Sequence, residues 1–204
     1  ALCATVALLS PDATGSGPAA GLVLPWVLAV HAVAALFWVA VVPFWLRARW
    51  PLRHGVAGLL AGVVVLFPTW LALVQLRVAG PGVLLAVLAV VWMADVAAYF
   101  SGKAFGRHKL APSISPGKTW EGAIGAGVGV VLYGLAVRAG FAYEPVAVHF
   151  WILGLLAVTA ISIVGDLFES MLKRQAGVLD RIDSLTSTLP VVTLLWLLLL
   201  RSQG

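Results

Sequence analysis

The chain has 204 residues, 62% of them hydrophobic and only 10% charged, with a formal net charge of +5. Soluble domains carry about 25% charged residues, so a water-soluble globular fold is excluded, and continuous apolar runs without period-two alternation exclude a transmembrane β-barrel. What remains is an all-α fold, a polytopic transmembrane helical bundle, expected as one integral-membrane domain over residues 1–204. The single cysteine, Cys3, leaves no disulfide within the chain and no thiolate metal cage, and His31, His54, His108 and His149 are too dispersed to suit zinc. The positive balance fits contact with anionic lipid headgroups or with phosphates.

In chain order, residues 1–9 form an apolar run shorter than the roughly twenty residues a span needs, without a basic leader. They read as the tail of a helix whose upstream part is missing from this sequence. A Pro/Gly/Ser loop covers 10–20. Apolar spans are expected at about 21–46, 55–78, 83–100, 121–139, 146–172 and 184–200. Trp26 and Trp45 sit near the ends of the first span as interfacial anchors. Pro68 is expected to kink the second, and Gly80-Pro81-Gly82 to form a tight turn before the third. Residues 101–120, rich in Gly, Pro and Ser, read as loop or short helix. Gly125-x-x-x-Gly129 in the fourth span allows close helix packing.

Alternating spans put the loops at 47–53, 101–120 and 173–183 on one side, where they hold ten of the thirteen Lys and Arg residues. The other side receives Arg77, Arg138 and Arg201. This bias predicts that the basic loops face the cytoplasm.

The stretch 162–187 holds four of the eight acids. Asp166 and Ser170 are four apart on a helix, as are Glu169 and Lys173, so all four share a face where the fifth span leaves the membrane. Asp180 and Asp183 flank Arg181 just before the last span. Carboxylates without Cys or His suit a hard cation such as Mg²⁺, which takes one or two of them and leaves room for phosphate oxygens. Lys173, Arg174 and Arg181 then suit those phosphates. The alternative is a set of interfacial salt bridges and helix caps. Asp95, an acid inside a span with Tyr99 one turn later, is either functional or a buried acid locking helix packing. Ser115-Pro116-Gly117-Lys118-Thr119 is not a P-loop, because the first glycine of that motif falls on Pro112. Lys103, Arg107, His108, Lys109 and Lys118 suit either a nucleotide or an anionic headgroup, or form a plain basic loop against lipid phosphates. Nothing marks a nucleic-acid partner.

Several runs resemble one family. These are Ala94-Asp95-x-x-Ala98-Tyr99, Gly102-Lys103-x-x-Gly106-x-His108-Lys109-Leu110-Ala111-Pro112, Ser115-Pro116-Gly117-Lys118-Thr119-Trp120-x-Gly122, Gly165-Asp166-Leu167-x-Glu169-Ser170, Ser170-Met171-Leu172-Lys173-Arg174 and Leu179-Asp180-Arg181-Ile182-Asp183-Ser184. Together, over 94–190, they resemble the bacterial phosphatidate cytidylyltransferase (CDP-diacylglycerol synthase) family. The resemblance implies Mg²⁺-dependent transfer of CMP from CTP to phosphatidate at the cytoplasmic face of the inner membrane. A second metal or a monovalent cation, and a homodimer, stay open. It implies Asp166, Asp180 and Asp183 as metal ligands, with Lys173 and Arg174 in the catalytic set. Ser170, Arg181, Lys118, Ser115, Lys103, Lys109, Asp95 and Tyr99 would contact substrates.

The family pattern carries a further polar segment, with Lys-Asp and Pro-x-His-Gly-Gly, between the positions of Gly177 and Val178. Either the segment is deleted, which removes polar site residues, or it is omitted from this sequence, the favoured reading, which predicts a Cα separation there well beyond the ~3.8 Å of a trans peptide. Two other readings are a CTP-dependent lipid kinase of the polyprenol or phytol type, and an ion or proton transporter using Asp95 and Asp166.

Overall fold

The computed structural model describes residues 25–48, 56–140, 146–176 and 185–203, together with Cys3. The join between 177 and 178 lies outside them. The described residues form helices α1 (Pro25–Leu36), α2 (Val42–Ala48), α3 (Val56–Ala79), α4 (Pro81–Phe105), α5 (Trp120–Gly140), α6 (Val148–Ala176) and α7 (Leu185–Gln203), with one hairpin of strands β1 (Lys109–Ala111) and β2 (Ser115–Thr119). A π-helical turn, Phe37–Val41, joins α1 to α2, so the two make one rod. It comes just before Pro43, which has no N–H to give and whose ring crowds the carbonyl four residues back. The chain is thus an all-α helical bundle with a small two-stranded sheet. Five helices, Pro25–Ala48, Ala61–Ala79, Pro81–Phe105, Trp120–Gly140 and Val148–Leu172, are long and apolar enough to cross a membrane. It is a multi-pass membrane protein.

The chain divides into two compact units, Ala1–Val87 with Leu185–Gly204, and Leu88–Ser184. In the first, Val27 of α1, Leu71 of α3 and Leu197 of α7 make a buried core, flanked by Trp26, Trp70 and Trp196. Pro190 lies inside α7 and cannot donate to the carbonyl of Thr186, four residues earlier. That carbonyl instead accepts a 3.2 Å hydrogen bond from Thr69 Oγ1 of α3. Thr69 itself follows Pro68 inside α3, and also reaches the Val65 carbonyl at 2.7 Å. In hydrocarbon, where water cannot satisfy a freed carbonyl, such a side-chain bond is what lets proline sit within a span.

In the second unit α4 and α5 approach closely because α5 presents glycines. A Cβ on Gly125 would fall 2.0 Å from Ser101 Oγ, and one on Gly129 2.6 Å from Ala97 Cβ. Around this contact Ala94, Ala126 and Val130 are buried, with Leu155 of α6 packed against them. Trp151 Nε1 of α6 donates to the Gly134 carbonyl at 3.1 Å, and Arg138 to the Val146 carbonyl at 2.7 Å, which pins α5 to α6. The three helices so fixed carry the site.

Candidate functional site

Residues 101–120, expected as loop or short helix, are neither throughout. Helix α4 runs on to Phe105, and β1 and β2 pair antiparallel with Lys109 opposite Thr119 and Ala111 opposite Ser115. Pro116 and Gly117 disfavour a strand and gave the stretch a loop-like appearance. A lone two-stranded hairpin is marginal in water. This one is closed at its base: Trp120 N–H donates to the His108 carbonyl at 2.9 Å, and Glu121 accepts from His108 N–H at 3.2 Å. The Glu121 carboxylate also meets His108 Nδ1 at 2.7 Å. At the other rail, buried Thr119 caps α5, its Oγ1 accepting from Gly122 N–H at 3.1 Å.

Lys118, on β2, reaches across to the Asp166 carboxylate of α6 and forms an ion pair and hydrogen bond with it. The side chains are 24% and 36% exposed, so the pair is partly withdrawn from water. Its weight falls between the ~0–1 kcal/mol of an exposed pair and the ~3–5 kcal/mol lost when a buried pair is broken. One turn on, Ser170 Oγ donates to the Asp166 backbone carbonyl at 2.8 Å.

The pair stands in a cavity of about 490 Å³ lined by α4, the hairpin, α5 and α6. The structure brings five of the sequence-singled residues to its wall: Asp95, Tyr99, Lys103, Lys118 and Asp166. Asp95 is exposed on that wall and is not the sealed packing acid considered from sequence. Ser115 sits at the start of β2 and Lys109 is exposed on β1, and neither is among the residues lining this cavity. Ser170 serves the α6 backbone. Lys173 and Arg174 belong to the last turns of α6, but their side chains, like Asp180, Arg181 and Asp183, lie outside the described residues.

Two cavity residues, Ser162 and Thr119, carry no individual role in the sequence analysis. Ser162 is buried and lies four residues before Asp166, so the stripe Ser162, Asp166, Ser170 was legible at helical spacing. Thr119 was readable as a cap only once α5 was known to begin at Trp120.

The cavity offers oxygen donors of the kind a hard cation accepts: two carboxylates and the hydroxyls of Ser162 and Thr119. No group of three metal-ligating side chains occurs among the described residues. Lys103 and Lys118 share this wall with the acids, so it can neutralise an anionic group and hold it near a carboxylate.

Fold and site together define a multi-pass helical membrane protein with a charged cavity walled by spanning helices. A family model described as the cytidylyltransferase family matches residues 13–199. The chain belongs to that family. It is 44% identical over 151 residues to a phosphatidate cytidylyltransferase of Pseudomonas aeruginosa, covering 66% of this chain and 56% of the relative. To the protein of that name in Haemophilus influenzae it is 43% identical over 133 residues, 52% of this chain and 43% of the relative. To that of Thermotoga maritima it is 37% identical over 124 residues, 52% of this chain and 46% of the relative. The chain thus spans about half the length of the curated relatives it matches. No solved structure matches it.

Proposed function

We propose that this protein transfers the cytidylyl group of CTP to phosphatidate, giving CDP-diacylglycerol and pyrophosphate. The observation that carries the reading is the Lys118–Asp166 pair facing a cavity in a cytidylyltransferase-family membrane protein. In this reaction a phosphate oxygen of phosphatidate forms a bond to the α-phosphorus of CTP as the bond from that phosphorus to the bridging oxygen of pyrophosphate breaks. The attacking oxygen is already anionic, so the site needs no strong base. It needs cations that offset the charge of two phosphate-bearing substrates, and walls that align them.

Lys118 and Lys103 supply positive charge, and Asp166 holds Lys118 in place until a phosphate competes for it. Mg²⁺ fits the oxygen donors of the cavity, and Asp166, with Asp180 and Asp183, is the set that would hold it. When bound, such an ion supplies charge neutralisation on the triphosphate and a template for in-line displacement. On the alternating topology read from the sequence, ten of the thirteen cations gather near the same ends of the spans, which supports a site facing the cytoplasm from the inner membrane. CTP would arrive there from water and phosphatidate from the leaflet.

The test is product analysis on full-length protein with labelled CTP. Label from the α-phosphorus should enter lipid. Label entering lipid from the γ-phosphorus would make the protein a lipid kinase and end this reading.

A further inference from the structure

Asp95, Tyr99 and Lys103 recur every four residues along α4, so they stack on one helix face, and all three line the cavity. Tyr99 is nonetheless 61% exposed, which puts its ring at the cavity mouth. Lys103 Nζ lies 5.7 Å from the centre of that ring, a cation–π contact that holds the ammonium at the mouth. Away from Lys103, the same side of α4 continues through Val96, 50% exposed, and Trp92, 56% exposed. From Trp92 to Lys103 the helix rises about 16 Å at ~1.5 Å per residue. That matches the hydrocarbon depth of one leaflet, half of the ~30 Å bilayer core.

The geometry points to this face of α4 as the seat of the phosphatidate substrate: its phosphomonoester against Lys103, and an acyl chain along Tyr99, Val96 and Trp92 toward the bilayer centre. The inference rests on the cytidylyl-transfer reading above and assigns one of its two substrates to one wall. CTP has no use for an apolar ridge one leaflet deep, whereas a diacyl lipid does. Asp95, two turns below Lys103, repels a phosphate that slides deeper and so keeps the headgroup at the mouth. Helix α5 also exposes an apolar ridge, Trp120, Ile124, Val128 and Leu132. Apolar exposure alone is expected of any spanning helix. The α4 ridge differs in ending on a cation of the cavity wall.

The experiment uses full-length protein in phosphatidylcholine vesicles with phosphatidate carrying a photoactivatable diazirine on its acyl chain, followed by peptide mapping. Label is expected on α4 between Trp92 and Tyr99. Excess unlabelled phosphatidate should abolish it and added phosphatidylcholine should not. Lys103→Gln is expected to cut labelling about tenfold, the scale of one charge-assisted hydrogen bond, while Lys103→Arg retains it. Label concentrated on the Ile124–Leu132 ridge, or undiminished in Lys103→Gln, overturns the inference. So does a Lys103→Gln variant that loses affinity for CTP while labelling normally. Turnover in the same preparation keeps the two claims apart. Cytidylyl transfer without α4 labelling defeats this assignment alone, and α4 labelling without transfer defeats the reaction and leaves a phosphatidate site.

Discussion

Lys118 and Asp166 are 48 residues apart in the chain, one on a short strand and the other on a membrane-length helix, yet their side chains meet at the wall of one cavity. A carboxylate partly withdrawn from water needs a cation, and the hairpin exists in a position to deliver one. The first prediction follows. Asp166→Asn and Lys118→Met should each lower kcat/KM for CTP by ~100-fold or more, the cost of removing a charge that acts on a developing phosphate anion. A CTP-plus-phosphatidate assay on the full-length protein reads this, with Asp180→Asn and Asp183→Asn run alongside. Near-parental turnover in Asp166→Asn would remove that residue from the chemistry.

Thr119 is the hinge between strand β2 and helix α5. Thr119→Val keeps its shape but loses the cap on Gly122 N–H, which should cost about 1 kcal/mol of stability. Since Thr119 lines the cavity beside Lys118, substrate KM should rise in the same variant. Thr119→Ser, which keeps the hydroxyl, should recover most of both. Thermal unfolding in detergent and steady-state kinetics check the pair, and a Thr119→Val variant as stable as the parent would show that the cap contributes nothing.

Gly125 faces Ser101 so closely that an added Cβ would lie 2.3 Å from Ser101 Cβ, an atom with no freedom to swing aside. Gly125→Ala should therefore destabilise by ~1–3 kcal/mol through overpacking, more than the ~1 kcal/mol gained in helix propensity. Adding Ser101→Gly should restore the melting temperature. Failure of that second substitution to rescue would mean the helices are not in contact at this pair.

Thr69 answers a vacancy that Pro190 creates. Thr69→Val should cost about 0.5–1.5 kcal/mol by removing its hydrogen bond to the Thr186 carbonyl. In a Pro190→Ala background α7 can satisfy that carbonyl itself, so the same change should be nearly neutral. A double-mutant cycle in thermal stability measures the coupling, and additive effects would deny it.

How much of this was legible beforehand divides by range. Hydropathy is a property of consecutive residues, so the expected spans 83–100 and 121–139 lie within α4 and α5, and only the ends moved: α4 continues to Phe105 because nothing before Gly106 stops a helix. The spacing of Asp166 and Ser170, and of Asp95 and Tyr99, is likewise local, and helical geometry turns it into shared faces. The hairpin was not legible, since Pro116 and Gly117 argue against strands. Its pairing rests on contacts with His108 and Glu121 at its base and with Asp166 beyond it.

The amino-acid order alone determined that this is a helical membrane protein, which stretches span it, and where acids and cations gather, because burying twenty apolar residues in hydrocarbon outweighs any local preference. Only the tertiary structure decided which charges face each other. Lys118 could have met a phosphate headgroup, Asp95 or nothing, and its partner is Asp166 because glycines let α4 and α5 close together, Thr119 turns the hairpin, and α6 presents its acid at that height. A pairing of charges depends on distance in space, which falls off steeply and has no counterpart in sequence separation.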